Sequence, residues 1–443
     1  MARKKREPET ACIESVTHDG KGIAAVAGKK VFVAGTLEGE TVRFQRRKRR
    51  RNYDEAELLE VLEASEARIE PRCAAFGTCG GCSLQHITSV DQRAIKHRAL
   101  VDSLQRIGRL EPQRWLDPLS DDSDDGSWKY RRRARLAVKD VAGKGRVLVG
   151  FRESHAPYVC DMHRCEVLAS PVDGLIDPLS ELVGRLSLSR RLPQVEVAVA
   201  DNVTELVFRV LDPPTEEDLA ALAEFSREHG LQIALQSGGP DSIEPLDTGI
   251  GIQPLRYALP EFEITIEFVA TDFVQVNGAV NRLMVSKAIE LLEISAGHRV
   301  LDLYCGIGNF SLPLARKSEH VLGIEGEMQQ VTRCQANAAL NDVSNCEFRQ
   351  ADLSAIEGNE GWIKAHWDRV LLDPARSGAE AVVANMTAIG APRIVYVSCH
   401  PGTLARDAGA LVRDHGFTLE SAGIIDMFPH TGHVESIAVF QKD

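Results

Sequence analysis

The sequence predicts a multidomain chain: a small N-terminal OB-like β-barrel, a central α+β region carrying a cysteine cluster, and a C-terminal α/β domain of the doubly wound, Rossmann-like kind. Three observations carry this. Short strands punctuated by glycine turns fill the chain up to about residue 65. Strands and helices mix irregularly between about 128 and 269. From about Thr271 helix and strand alternate strictly, the order of a mostly parallel sheet with helices on both faces. At 443 residues the chain is long enough for two or three cores. The expected divisions are 1–66, 67–268 and 269–443.

The barrel prediction rests on IESVTHDGKGIAAVAGKKVFVAGTLEGETVRFQRR, with turn signals at Asp19-Gly20, Gly28-Lys29 and Glu38-Gly39. Five short strands are expected. Barrels of this type bind single-stranded nucleic acid through a cationic, aromatic face. The net charge of −12 argues against such a ligand, but the distribution argues for it. Arg43–Arg51 reads RFQRRKRRR, seven cations in nine positions, and Lys129–Arg135 reads KYRRRAR, while acid collects elsewhere, as in SDDSDD at 120–125. Two basic runs, one with Phe44 and Tyr53 nearby, point to RNA or DNA.

The start, MARKKREPE, lacks the apolar stretch of a signal peptide, and no apolar run approaches the roughly 20 residues of a membrane span. A cytoplasmic protein that does not engage membranes is expected. Cysteines there stay mostly reduced, so the stretch CAAFGTCGGC, with Cys73, Cys79 and Cys82, points to metal before disulfide. Three thiolates leave a centre one ligand short. Cys160 and Cys165 are the available pair, and spacing alone separates neither these two nor zinc from an iron–sulfur cluster.

A helix is expected from about Val90 to Ile107, with Ile95, Leu100, Leu104 and Ile107 as its apolar side. Strands RARLAVKDV, RVLVGFRE, VEVAVADN and TELVFRVL and a helix over 216–229 make up the central region, with a loop or hairpin at 238–251.

The C-terminal motifs fall at strand ends, where doubly wound sheets bind ligands. VLDLYCGIGNF (300–310) is a strand entering a Gly-rich turn. Ser311 replaces the third glycine of the dinucleotide fingerprint, which weakens the case for a pyrophosphate. Glu325 ends the next strand and suits ribose hydroxyls, and Asp352 ends the third and suits an adenine amino group. Together they fit S-adenosylmethionine better than NAD. Cys305 reads as a small residue packed in a tight turn. In LLDPARSG, Asp373-Pro374 break the fourth strand at the methyl-donor end. In IVYVSCHPGTLARD, Cys399 ends the fifth strand beside a helix N-terminus, a setting that can stabilise a thiolate. In MFPHTGHVES, Glu435 begins the last strand; with Cys399 it makes a nucleophile and base pair. His430 and His433 read as turn-structuring or substrate-contacting rather than metal-binding. Gln275 in FVQVN carries both an amide donor and an acceptor, which suits a pyrimidine edge.

The pieces FVQVN, LDLYCGIGNF, LLDPARSG, VYVSCHPGTLARD and HTGHVES, in this order and roughly this spacing, resemble the RNA uracil-C5 methyltransferase family. The barrel resembles a TRAM domain, and with CAAFGTCGGC the whole chain is similar to the family's 23S rRNA branch, which carries TRAM and a [4Fe-4S] cluster. The resemblance implies a 23S rRNA (uracil(1939)-C(5))-methyltransferase. It uses S-adenosylmethionine, adds Cys399 to C6 of a flipped-out uridine and removes the C5 proton with Glu435. It further implies that Gln275, Tyr304, Asn309, Glu325, Asp352 and Asp373 line the cofactor. It implies Cys73, Cys79, Cys82 and Cys165 as cluster ligands, since HRCEVL matches the family's fourth ligand better than Cys160 does. The expected partner is 23S ribosomal RNA, and a monomer is expected. His400 departs from the family's asparagine after the cysteine. Another 23S rRNA site, a tRNA substrate, a cytosine-C5 enzyme and a non-catalytic RNA-binding protein remain the alternatives. A radical enzyme would need the CxxxCxxC spacing, which is absent.

Overall fold

A computed structural model describes residues 7–123, 125–249 and 251–442. The basic start 1–6 and Asp124 of the acidic run lie outside the described residues.

The N-terminal part is a curled six-stranded sheet, one strand more than expected. Its strands are β1 (Glu9–Cys12), β2 (Ser15–Val16), β3 (Lys21–Val26), β4 (Lys29–Ala34), β5 (Thr41–Arg49) and β6 (Tyr53–Glu63), in the order β1-β5-β6-β4-β3-β2. Alternation drives Val31, Val33, Val42 and Phe44 inward, where with Ile13 and Ala24 they form a small core. The basic run on β5 is largely paired. Arg43 meets Glu60, Arg46 bridges Glu9 and Asp54, Arg47 meets Glu57, and Lys48 and Arg50 meet Glu55. Apart from the Arg46 pairs with Asp54 and Glu9, which are buried or half-buried, these bridges are exposed. Such rim pairs are worth about 0–1 kcal/mol, so phosphates can displace them.

The helix α1 (Ser89–Ser103) starts at Thr88, whose hydroxyl caps Asp91 N, and its last turn continues as a π-turn over Leu104–Gly108. Its buried stripe is Gln92, Lys96 and Leu100, continuing to Leu104. The expected apolar face is therefore wrong in part: Ile107 is exposed and Ile95 packs beside Leu84 and Ile87. Two polar residues take the first turns because they meet polar groups of the C-terminal domain.

The central sheet follows the sequence reading closely. β8 (Arg133–Val141), β9 (Arg146–Gly150), β10 (Gln194–Val199), β11 (Thr204–Arg209), β12 (Gln232–Gln236) and β13 (Ile243–Pro245) lie in the order β13-β12-β11-β10-β8-β9. Helices α2 (Ile176–Arg185) and α3 (Glu216–His229) cover it, α3 opening with a reciprocal Thr215–Asp218 capping box. Cys160 and Cys165 are buried in this core. The KYRRRAR run is also engaged: Arg132 pairs with Asp201, Arg135 with Glu196 and Lys129 with Asp173.

The C-terminal sheet has eight strands. One is short and remote in sequence: β7 (Arg114–Trp115), unforeseen, joins its edge. The others are β16 (Arg299–Leu303), β17 (His320–Glu325), β18 (Cys346–Gln350), β19 (Arg369–Leu372), β20 (Arg393–Ser398), β21 (Thr418–Ile425) and β22 (Glu435–Gln441). The order is β18-β17-β16-β19-β20-β22-β21-β7, parallel from β18 to β20, with β22 antiparallel to β20. The reversal at β16/β19 opens the crevice in which such folds hold ligands. One face carries α4 (Gly278–Leu292), α5 (Ser311–Ala315) and α6 (Met328–Leu340) together with the hairpin β14 (Leu255–Leu259) and β15 (Ile264–Phe268). The other carries α7 (Glu380–Ala384), α8 (Met386–Ile389), α9 (Pro401–His415) and, from far upstream, Leu100 and Leu104. No helix among the described residues is long and apolar enough to cross a membrane.

Candidate active site

The strand ends enclose a cavity of about 510 Å3. Its walls include Gln275, Tyr304, Asn309, Glu325, Asp373, Cys399 and Glu435, seven of the eight cofactor and catalytic residues expected from sequence. The eighth, Asp352, does not line it. Asp352 lies two residues beyond the end of β18, exposed, and its Oδ1 accepts from Ser354 N and Oγ, which holds the carboxylate below its usual range. A groove of about 860 Å3 along β8 and β9 contains none of these residues.

The Gly-rich turn after β16 forms the floor. Gly306 and Gly308 have φ of +56° and +95°, a region open to glycine at little cost. Tyr304 also sits at positive φ, +66°, without that freedom, and such strain concentrates at functional sites. Glu325 Oε2 accepts from Gly306 N at 3.0 Å and its Oε1 from Gly326 N at 2.7 Å. The carboxylate thus ties the β17 end to the turn. Beneath them Asp302 is fully buried, accepts from Ser311 Oγ, and is pushed up to about 7 by burial. Asn309 is pinned on two sides. Its Oδ1 accepts from Tyr257 Oη and Asn281 Nδ2, each at 2.9 Å, and its Nδ2 donates to Asn281 Oδ1 at 3.0 Å.

At the other end Asp373, Cys399 and Glu435 converge from three adjacent strands, β19, β20 and β22. Burial raises Glu435 well above the carboxylate range, with Asp373 adding to it; burial pushes Asp373 up to about 7. The expected stabilised thiolate is not found. Burial, then Glu435 and Asp373, push the Cys399 thiol up to about 11, outweighing the helix N-terminus beside it. That terminus is occupied: His400 is the N-cap of α9, its Nδ1 accepting from Thr403 N at 3.2 Å. This explains how His400 replaces asparagine, since both offer a short acceptor at a cap.

Phe273, Arg376, Phe428 and His433 rim the cavity. All four lie inside motifs already singled out, but only the fold aims them here. Tyr257 gave no signal beyond strand alternation; its hairpin is brought to Asn309 by packing.

A second cavity, of about 200 Å3, lies beside the first and shares His433 with it. Cys73, Cys79, Cys82 and Cys165 line it, with Phe76, Phe151, Met162 and Arg131. Cys160, buried nearby, does not. Burial pushes Cys79 and Cys165 up to about 11 and Cys82 up to about 12. Among the described residues no three Cys, His, Asp or Glu side chains form a ready-made single-ion group.

The family model of the tRNA (uracil-5-)-methyltransferases matches residues 129–443, well over half of the chain. The chain belongs to this family. Its S-adenosylmethionine-dependent uracil-C5 methyltransferase activity gives the cavity a chemistry. Full-length relatives agree. A protein of Alkalilimnicola ehrlichii named 23S rRNA (uracil(1939)-C(5))-methyltransferase RlmD is 47% identical over 100% of this chain and 98% of its own length. The protein of the same name from Methylococcus capsulatus is 48% identical over 98% and 97%. The tRNA (uracil-54, C5)-methyltransferase of Pyrococcus abyssi, solved with S-adenosyl-L-homocysteine, superposes with a TM-score of 0.76 at 23% identity, covering 97% of this chain and 99% of that one. That likeness shows a common fold across the length of this uracil-C5 methyltransferase chain.

Proposed function

We propose that the chain methylates C5 of uracil 1939 in 23S ribosomal RNA, acting in the cytoplasm as a monomer, with residues 1–66 as the RNA-binding barrel, 67–268 as the cluster-bearing middle part and 269–443 as the methyltransferase domain. The observation that carries the reaction is the convergence of Cys399, Glu435 and Asp373 at one end of a cavity whose other end is built for an adenosyl ligand. The full-length relatives named for 23S rRNA support the substrate. One chain supplies every residue of the site.

S-adenosylmethionine supplies an electrophilic methyl group. Gln275, Tyr304, Asn309, Glu325 and Asp373 hold it, with Asp352 at the outer margin. Uracil C5 is a weak nucleophile until Cys399 Sγ bonds to C6. Addition of the thiolate, the thiol proton having gone to solvent, places an enolate across C5 and O4; C5 then takes the methyl group as its bond to the sulfonium sulfur breaks, with S-adenosyl-L-homocysteine as the leaving group. Glu435 removes the C5 proton, the C5–C6 double bond reforms, and the Cys399–C6 bond breaks to release the thiolate. Glu435 does this in its ionised form, and burial, which holds its carboxyl well above the usual range, favours keeping the proton it takes. Gln275 and Asp373 are placed to meet the pyrimidine edge. The base must leave the stack to reach Cys399, and the rim residues Phe273 and Arg376 surround its entry.

The four cysteines suit a [4Fe-4S] cluster. An all-sulfur donor set is soft, and thiols this deeply buried are stabilised as thiolates only against a cation. A cavity of about 200 Å3 is far larger than one ion. A single zinc would gather four sulfurs at about 2.3 Å from one point, whereas a cluster holds them apart.

The test is trapping. Glu435→Gln mixed with unmodified 23S rRNA fragment and S-adenosylmethionine accumulates a denaturant-stable RNA–protein adduct mapped to Cys399. Multiple turnover by Cys399→Ala overturns the mechanism. A colourless, zinc-retaining protein after anaerobic purification overturns the cluster.

A further inference from the structure

Glu435 is the first residue of β22. It is in register with Ile425 of β21, and the next residue, Ser436, with Ser398 of β20, so how this end of the ladder closes depends on the segment Asp426–Val434 that joins Ile425 to Glu435. That segment is held mostly from outside the C-terminal domain. Lys96 Nζ donates to Asp426 Oδ1 at 2.7 Å and to Phe428 O at 2.9 Å. Tyr130 Oη donates to Pro429 O at 2.9 Å. Asp19 of the barrel packs so closely on Gly432 that a Cβ there would lie 2.6 Å from Asp19 Cα.

His430 is the centre of this grip. It adopts φ +64°, a left-handed conformation that costs a non-glycine residue about 1–2 kcal/mol. Its backbone N–H and carbonyl, its Nδ1 and its ring face are all engaged. Its N–H donates to Gln92 Oε1 at 2.7 Å, and its Nδ1 lies 3.1 Å from Gln92 Nε2. Its carbonyl accepts from Ser83 N and Leu84 N at 2.9 and 3.0 Å. Its ring stacks on Trp128 with centroids 3.8 Å apart. Gln92 is wholly buried and in turn donates to Leu84 O and Ile87 O. Ser83 and Leu84 directly follow Cys82.

We propose that the end of the cysteine loop and the first turns of α1 position Glu435: Gln92, with the backbone of Ser83 and Leu84, fixes His430, and His430 fixes the approach to the general base. This rests on Glu435 acting as the base. It gives the cysteine stretch a place in the reaction as the anchor of a catalytic side chain's support. Cys399 and Asp373 directly follow β20 and β19, and among the described residues no hydrogen bond ties either of them to this segment. Loosening it therefore affects proton removal, the step after methyl transfer, and leaves the adenosyl end alone.

The test is Gln92→Ala in the full-length protein, with S-adenosyl-L-homocysteine affinity, single-turnover methyl transfer and adduct lifetime measured together. Turnover falls about 10- to 100-fold, the scale of a 1 Å misplacement. The Cys399–RNA adduct accumulates as in Glu435→Gln, while affinity for S-adenosyl-L-homocysteine stays within about twofold. Tyr130→Phe, which deletes one hydroxyl, gives a milder rise in adduct and serves if Gln92→Ala does not fold. Slow turnover without adduct, or wild-type adduct lifetime in the variant that folds, overturns the proposal. If Glu435→Gln itself traps no adduct, the assignment of the base fails instead.

Discussion

Replacing Glu435 or Asp373 by its amide probes how the site manages its nucleophile. In the ligand-free protein burial comes first, then the carboxylates of Glu435 and Asp373, in pushing the Cys399 thiol up to about 11. At pH 7 the thiol form therefore predominates. Alkylation by iodoacetamide, resolved to the Cys399 peptide by mass spectrometry, reads this directly. The wild-type rate rises about tenfold per pH unit from 7 to 10 without a plateau. Glu435→Gln moves the whole profile to lower pH because it removes a negative neighbour from the thiolate. Asp373→Asn moves it the same way by less. Burial persists in both, so neither variant returns to the free-cysteine value near 8.5. A wild-type plateau below pH 8.5, or profiles unchanged in both variants, would refute the electrostatic account.

Three more outcomes follow from the packing. Lys96→Met leaves the buried Asp426 carboxylate unpaired and lowers the urea midpoint by the equivalent of about 3–5 kcal/mol; Lys96→Met with Asp426→Leu recovers most of it. His400→Ala costs about 1 kcal/mol of α9 capping and slows turnover, whereas His400→Asn keeps both, as paired melting and kinetic assays will show. Asp302 is raised from 3.8 to about 7 by burial, so its contribution to stability is full below pH 3.8 and is lost as pH rises through 7. About 3 units correspond to roughly 4 kcal/mol, and Asp302→Asn removes that part of the slope in melting curves between pH 4.5 and 7.5.

The parallel sheet was legible because buried parallel strands are near-continuous apolar runs ended by turn residues, as in VLDLYCG and RVLLDP. Most of the site was legible for the same reason, since its residues sit at those strand ends. What stayed hidden was set by partners remote in sequence. The buried stripe of α1 begins with Gln92 and Lys96, which look like solvent-facing residues until His430 and Asp426 are placed against them. The two-residue β7 carries no pattern. The paired state of RFQRRKRRR depends on acids across the β5–β6 hairpin. The thiol of Cys399 was misread because a helix terminus is visible in sequence and a neighbouring buried carboxylate on another strand is not.

The same division explains how the site is built. Asn309 has both lone pairs of Oδ1 and one of its two N–H groups committed to Tyr257 and Asn281, so it can offer a ligand only a single N–H. The hairpin β14–β15 enforces that restriction by delivering Tyr257. At the opposite end the cysteine loop and α1 reach Glu435 through His430. The parallel sheet supplies the crevice and the order of the reacting groups. Their final orientations come from segments upstream of it, so a chain cut to 269–443 would keep β16–β22 but lose β7, the Tyr257 bond to Asn309 and the contacts that hold His430 together.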